Sequence, residues 1–244
     1  SLVAQIDPTS KILSFSQIEI APYASHFNEY GKNVVAIGCS IDKTVFRNSV
    51  IIGRRAVENV GSNQNLEEST IIGCGAASQV SGSSYKSKRS TLVGHFAGKE
   101  SHCDGSSGFG YRALYQSDSA VGCIAIGYET CYNLTSSNKN YRITAVGGNA
   151  MRSSDSQWES VAIGYDAGSS STANGNYCRN TFIGPYSGKN LSGLTNTCLG
   201  AYSGENASGN RNVYIGKNQG QGKTESDYLR IGNNTTTSLI EGTM

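Results

Sequence analysis

Carboxylates are the first residues to weigh for chemistry. Glycoside hydrolysis needs two of them roughly 5 to 10 Å apart in a cleft, one to protonate the leaving oxygen and one to act as base or nucleophile. Asp155 with Glu159, Asp166 with Glu129, and Asp104 with Asp118 are pairs that could be brought together on neighbouring coils or across a subunit boundary. The chain has 18 acids, enough for such pairs to arise by accident, so none is singled out as catalytic and the residues lean against an enzyme. If there is an activity, these carboxylates fit a polysaccharide-degrading glycosidase or lyase. His95, His102, Cys103 and Asp104 are the one local group with metal-ligand chemistry. Their spacing matches no standard zinc site, so they read as solvated turn residues and no metal is expected. No glycine-rich element follows a strand and opens a helix, so no phosphate loop and no cofactor are expected.

Aromatic side chains carry a different chemistry. Tyr111, Tyr128 and Tyr165 each follow a recurring glycine by one residue, and Tyr23, Phe96, Tyr186 and Tyr202 by two. Exposed tyrosines stack on sugar rings while their hydroxyls bond sugar OH groups; the same rings also suit a simple packing ladder. Long polar returns at 59–68, 79–89, 131–142, 151–159 and 169–179 add Tyr85, Tyr132, Tyr141 and Tyr177, with the sole tryptophan, Trp158, beside Glu159. Tryptophan is a common recognition anchor, and it serves equally to fill an apolar gap between protomers. The candidate carbohydrate-binding residues are therefore Trp158, Tyr85, Tyr132, Tyr141, Tyr177, Tyr111, Tyr128 and Tyr165.

A repeat must position these residues. The pattern apolar, any, apolar, Gly, any, any, Ala/Ser recurs twelve times, as in Val50-Ile51-Ile52-Gly53 with Ala56, and Val161-Ala162-Ile163-Gly164 with Ala167. The glycines from Gly38 to Gly232 fall 15 to 21 residues apart, and Ile18 to Ala24 forms a degenerate thirteenth unit. Each unit reads as a short strand and a tight turn, and stacked units make a solenoid. Glycine turns the chain or admits another backbone closely. Period-two alternation puts one strand face inward, and the residue just before the glycine is expected on that face. The expected fold class is all-β: a trimeric, β-helix-like solenoid fibre of about thirteen 15–21-residue strand-turn repeats. Residues 1–17 read as a leading strand pair around Asp7-Pro8-Thr9-Ser10, 18–232 as the repeat shaft, and 233–244 as a C-terminal segment.

Composition sets the oligomer expectation. Glycine is 30 of 244 residues, against roughly 7% in ordinary domains. Large apolar side chains are few, with six Phe and one Trp. Sixteen residues per unit are expected to be too few to enclose a core, so three chains should share one. A net charge of +2 with scattered signs builds no field for nucleic acid or an anionic membrane, and no stretch is apolar enough to insert in one. Seven cysteines with no CxxC pair read as free thiols.

Units such as Val161-Ala162-Ile163-Gly164-Tyr165-Asp166-Ala167-Gly168 resemble the C-terminal regions of phage tail fibres and tailspikes, and also head repeats of trimeric autotransporter adhesins. Residues Tyr228 to Asn234 and Ser238 to Met244 are similar to the stretch before the endosialidase-type intramolecular chaperone of viral fibres. That resemblance implies a virion location, a homotrimer assembled by a C-terminal self-cleaving chaperone, and attachment to host cell-surface or cell-wall carbohydrate.

Overall fold

Three apolar or β-branched residues ending at a glycine suffice for one strand, and each repeat supplies one. A computed structural model describes residues 4–6, 13–15, 17–20, 32–38, 45–58, 65–79, 88–117, 120–134, 142–155, 157–173, 178–234 and 237–244. Among the described residues there is no helix. The strands are β1 (Ala4–Ile6), β2 (Leu13–Phe15), β3 (Gln17–Ile20), β4 (Lys32–Ile37), β5 (Val45–Ile52), β6 (Asn65–Glu67), β7 (Thr70–Ile72), β8 (Thr91–Val93) and β9 (Ser107–Phe109). They continue as β10 (Ile124–Ile126), β11 (Thr144–Val146), β12 (Val161–Ile163), β13 (Thr181–Ile183), β14 (Thr197–Leu199), β15 (Val213–Ile215), β16 (Tyr228–Gly232) and β17 (Ser238–Thr243).

β1 and β2 pair antiparallel, while the other fifteen strands form one sheet. Setting aside β6, which flanks β5, and β17, which returns antiparallel along β16, the remaining strands run parallel in chain order. Equivalent positions of the repeat pair in register, as Val161 with Thr181, Ala162 with Phe182 and Ile163 with Ile183. The protein is a parallel β-solenoid.

Two expectations are corrected here. The residue two before the glycine is the buried one, as at Ile71, Leu92, Ala162, Phe182 and Tyr214. The residue just before the glycine lies on the outer face, where Ile126 and Leu199 are each 42% exposed. Alternation reveals that the two faces differ but not which one the coil curls around. A single chain also does enclose a core, because the coil is narrow and each layer needs few large side chains. That large group comes from either of two positions. Leu92 is matched by Gly98, and Gly108 by Leu114, so that a Cβ on Gly98 would lie 2.5 Å from Leu92 Cδ1.

After each repeat glycine the backbone alternates hand. In the coil of Gly184, Tyr186, Gly188 and Asn190 all have φ near +60°. Thirty described non-glycine residues share positive φ, where a few per cent is usual, so this is the rule of the coil and not a set of outliers. Each costs on the order of 1 kcal/mol, offset by hydrogen bonds between layers. The N–H groups of Tyr186 and Asn190 donate back to the Tyr165 and Ser169 carbonyls at 2.8 and 2.9 Å, and Gly188 N–H donates forward to Ser203 at 2.8 Å.

Polar side chains continue this stitching inside the coil. Asn196 N–H donates to Asn180 Oδ1 at 2.8 Å, and Asn212 N–H to Asn196 Oδ1 at 3.0 Å. Asn196 Nδ2 also donates to the Gly209 carbonyl at 2.9 Å. Asn196 is fully buried, so Asn196→Ala strands one donor and one acceptor away from water and should destabilise the chain by about 3 kcal/mol. Urea titration reads this directly, and a loss below 1 kcal/mol would mean that water replaces the amide.

Candidate binding face

The turn after each glycine projects side chains from fixed offsets, so equivalent residues form columns along the solenoid. One column begins with His95 against Tyr111, ring centroids 5.5 Å apart, and continues with Tyr111 on Tyr128, stacked at 5.2 Å. A second, five residues after the glycine, stacks Tyr115 on Tyr132 at 5.1 Å. Further along, Tyr165 meets Tyr186 edge to face at 5.5 Å, and Tyr186 stacks on Tyr202 at 4.8 Å. Cations lie over these rings: Arg112 over Tyr111 at 4.9 Å, Arg152 over Tyr132 at 5.3 Å, and Lys189 over Tyr186 at 5.0 Å.

Most ring faces are thus covered by other rings. Tyr128 and Tyr165, at 56% and 51% exposed, keep the most open surface. Between their coils the column position is Gly148, which has no side chain, and a Cβ built there would lie 3.4 Å from Tyr165 Cδ2. Of the other sequence candidates, Tyr111 and Tyr132 stand in these columns, while Tyr85, Tyr141 and Tyr177 lie outside the described residues. Trp158 is half-buried on the return before β12 and lines a separate hollow of about 260 Å³ with Val121, Gly122 and Arg142. Tyr115, Arg112, Arg152 and Asn149 escaped the sequence reading; their constant offsets of two and five residues from the repeat glycine were the available signal.

The carboxylates are engaged. Glu129 is held by Arg112 at 3.2 Å and Arg152 at 3.1 Å, and Asp166 by Lys189 at 2.7 Å. That hydrogen bond to Asp166 keeps the Lys189 ammonium above the ordinary lysine range. Glu129 and Asp166 are two coils apart, on the order of 10 Å at about 4.8 Å per layer. Glu159 is gripped by Arg142 at 2.9 Å and Arg179 at 3.0 Å. The Arg179 and Arg142 hydrogen bonds lower its carboxyl below the usual range. Asp155 bridges to Thr172 through its backbone, Asp104 pairs with Arg89 at 3.1 Å, and Asp118 lies outside the described residues.

His95 is stacked on Phe96 at 3.9 Å and Cys103 is buried. Among the described residues no group of three or more His, Cys, Asp or Glu is arranged to hold a metal ion. Six described cysteines are free thiols, five of them buried. Burial pushes the Cys123 thiol up to about 12 and also raises Cys131 and Cys198. Below pH 9 folded and unfolded thiols are both protonated and this stabilisation is complete. From pH 9 towards 12 the unfolded chain releases protons that the folded chain retains, so stability falls as pH rises, by up to about 1.4 kcal/mol per pH unit per thiol. Alkaline denaturation curves should show that slope, reduced in Cys123→Ser. Rapid native-state labelling of Cys123 by a thiol reagent would contradict it.

No family model matches the chain, nor does any curated protein or solved structure. The fold itself defines the class: an all-β, parallel β-solenoid repeat protein with one short strand per coil, bearing columns of stacked aromatic and ion-paired side chains on its turns.

Proposed function

We propose that the chain is the structural and receptor-binding part of a virion fibre or spike, which works as a homotrimer and attaches to carbohydrate of the host cell surface or cell wall. One observation carries the reading. The residue before each repeat glycine faces out of the coil, so Phe109, Ile126, Ile163, Ile183 and Leu199 form a continuous exposed apolar stripe, joined by the half-exposed Val93, Val146 and Ile215. Monomeric proteins rarely leave such a stripe in water.

Two further copies of this chain are its fitting occupants. The stripe repeats large apolar side chains at one layer spacing, so an identical stripe on another copy can pack against it. A three-residue strand is about 10 Å wide, and the eight layers of the stripe extend about 40 Å. The strip thus offers on the order of 400 Å² per copy, about half of the roughly 800 Å² per partner of a stable interface. A narrow ridge on each of three chains can converge on one axis. Carbohydrate attachment is supported by the exposed tyrosines and flanking cations of the turns, which would face outward on all three copies and bind multivalently. Assembly through a self-cleaving chaperone belongs to the same proposal and is supported by the likeness of residues 228–244 alone.

Light scattering over a concentration series tests the assembly. A mass near three times 25.8 kDa is expected, and a folded single copy at micromolar concentration overturns it. Retention on host wall polysaccharide, with no new reducing or unsaturated ends released, tests attachment against degradation.

A further inference from the structure

The aromatic column is broken at one place, and the break has the dimensions of a ligand. Tyr128 belongs to the coil of Gly127 and Tyr165 to that of Gly164; the coil of Gly147 lies between them and presents Gly148 at the same offset. Two layers at about 4.8 Å leave about 10 Å between equivalent positions. A ring in van der Waals contact with an aromatic plane on each side needs about 8 Å, taking close to 4 Å per contact.

The rings bordering the break are those that remain open. Tyr128 stacks on Tyr111 on one side only, with planes 12° apart. Tyr165 is turned 73° from Tyr186, whereas Tyr186 and Tyr202 are within 5° of parallel. Tyr165 therefore leans over Gly148 in the free protein, and a half-exposed tyrosine reorients in nanoseconds. Beside Gly148, Asn149 Oδ1 is buried and accepts no hydrogen bond. A buried carbonyl oxygen without a donor costs free energy that a hydroxyl would recover. Charged groups frame the break without facing it unpaired, since Glu129 is bound to Arg112 and Arg152, and Asp166 to Lys189.

We propose that the missing rung at Gly148 is a sugar-ring site: one neutral pyranose lies between Tyr128 and Tyr165 and donates a hydroxyl to Asn149 Oδ1. This rests on the carbohydrate-attachment reading and names its site. Neutrality follows from the paired charges: Arg112, Arg152 and Lys189, the cations over Tyr111, Tyr132 and Tyr186 among the described residues, are each bound to a carboxylate.

Gly148→Tyr is the decisive variant. Gly148 does not have positive φ, and Tyr111, Tyr128 and Tyr165 occupy the equivalent position in nearby coils, so a tyrosine there completes the stack without backbone strain once the Tyr165 ring turns aside. The assembled protein is run through native gels carrying dextran, mannan, galactan or solubilised cell-wall glycan. Wild type should be retarded by at least one of them. Gly148→Tyr should keep or raise the melting temperature while weakening that retardation at least tenfold, and Tyr128→Ala should weaken it comparably. Equal retardation of wild type and Gly148→Tyr overturns the site and leaves the attachment reading standing. No retardation of wild type in any gel overturns both.

Discussion

Gly164→Ala lowers stability by about 3 to 5 kcal/mol, while Gly148→Ala, one coil away, leaves it unchanged or slightly raised. Gly164 has φ of +135°, and a Cβ there would stand 2.6 Å from both the carbonyl carbon and oxygen of Gly184 in the next layer. Backbone in that region costs a side chain about 1 to 3 kcal/mol. The overlap is with main chain, which cannot swing aside, so neighbouring strands must separate and weaken the bond from Gly184 N–H to Ile163 O, now 2.8 Å. At Gly148 the nearest atom is the Tyr165 ring edge at 3.4 Å, ordinary contact, and the lost freedom of the unfolded chain favours alanine by a few tenths to about 1 kcal/mol. Gly105→Ala separates the two causes, since Gly105 has φ of +66° with nothing within 4 Å of a Cβ; conformation alone should cost about 1 kcal/mol. Guanidinium titrations of the three variants read the series. If Gly164→Ala and Gly105→Ala came out alike, close approach of the glycine backbones would not be what holds this column to glycine.

The second large effect falls on assembly. If the proposed trimer forms through the apolar stripe, Ile163→Asp combined with Ile183→Asp should convert it to single chains without loss of β-structure. Both side chains sit on the outer sheet face, 41% and 36% exposed, so the coil's own core around Phe182 is untouched. In the proposed trimer each chain would bring two carboxylates into the apolar stripe, and burying an unpaired charge costs several kcal/mol. At least a thousandfold weaker association follows. Sedimentation equilibrium at micromolar concentration should return the 25.8 kDa of one copy, with an unchanged far-ultraviolet spectrum. A persisting trimer would remove the stripe as the interface. Unfolding of the variant would show instead that the single-chain core is not self-sufficient.

Much of the fold was legible in the residues because a repeat repeats its constraints. The glycine spacing, the small residue three later and the second glycine at Gly98, Gly168, Gly188 and Gly204 each mark a close approach, and the structure places a core side chain against every one of those second glycines. The candidate face was only partly legible. Offsets from the glycine identified Tyr111, Tyr128 and Tyr165, but the columns they form depend on which coils are neighbours. The stacking of Tyr115 on Tyr132 and the grip of two arginines on Glu129 join residues 17 to 23 positions apart.

The sequence by itself determined the period, the strand that ends at each glycine, and the all-β solenoid, since these follow from local sterics and alternation read along the chain. Only the tertiary structure decided which strand face is inside, that one copy encloses its own core, and that the Tyr165 ring lies against Gly148. Those outcomes depend on the curl of the coil and on volumes exchanged between layers, Leu92 with Gly98 and Gly108 with Leu114. No stretch of residues expresses such quantities until the layers are stacked.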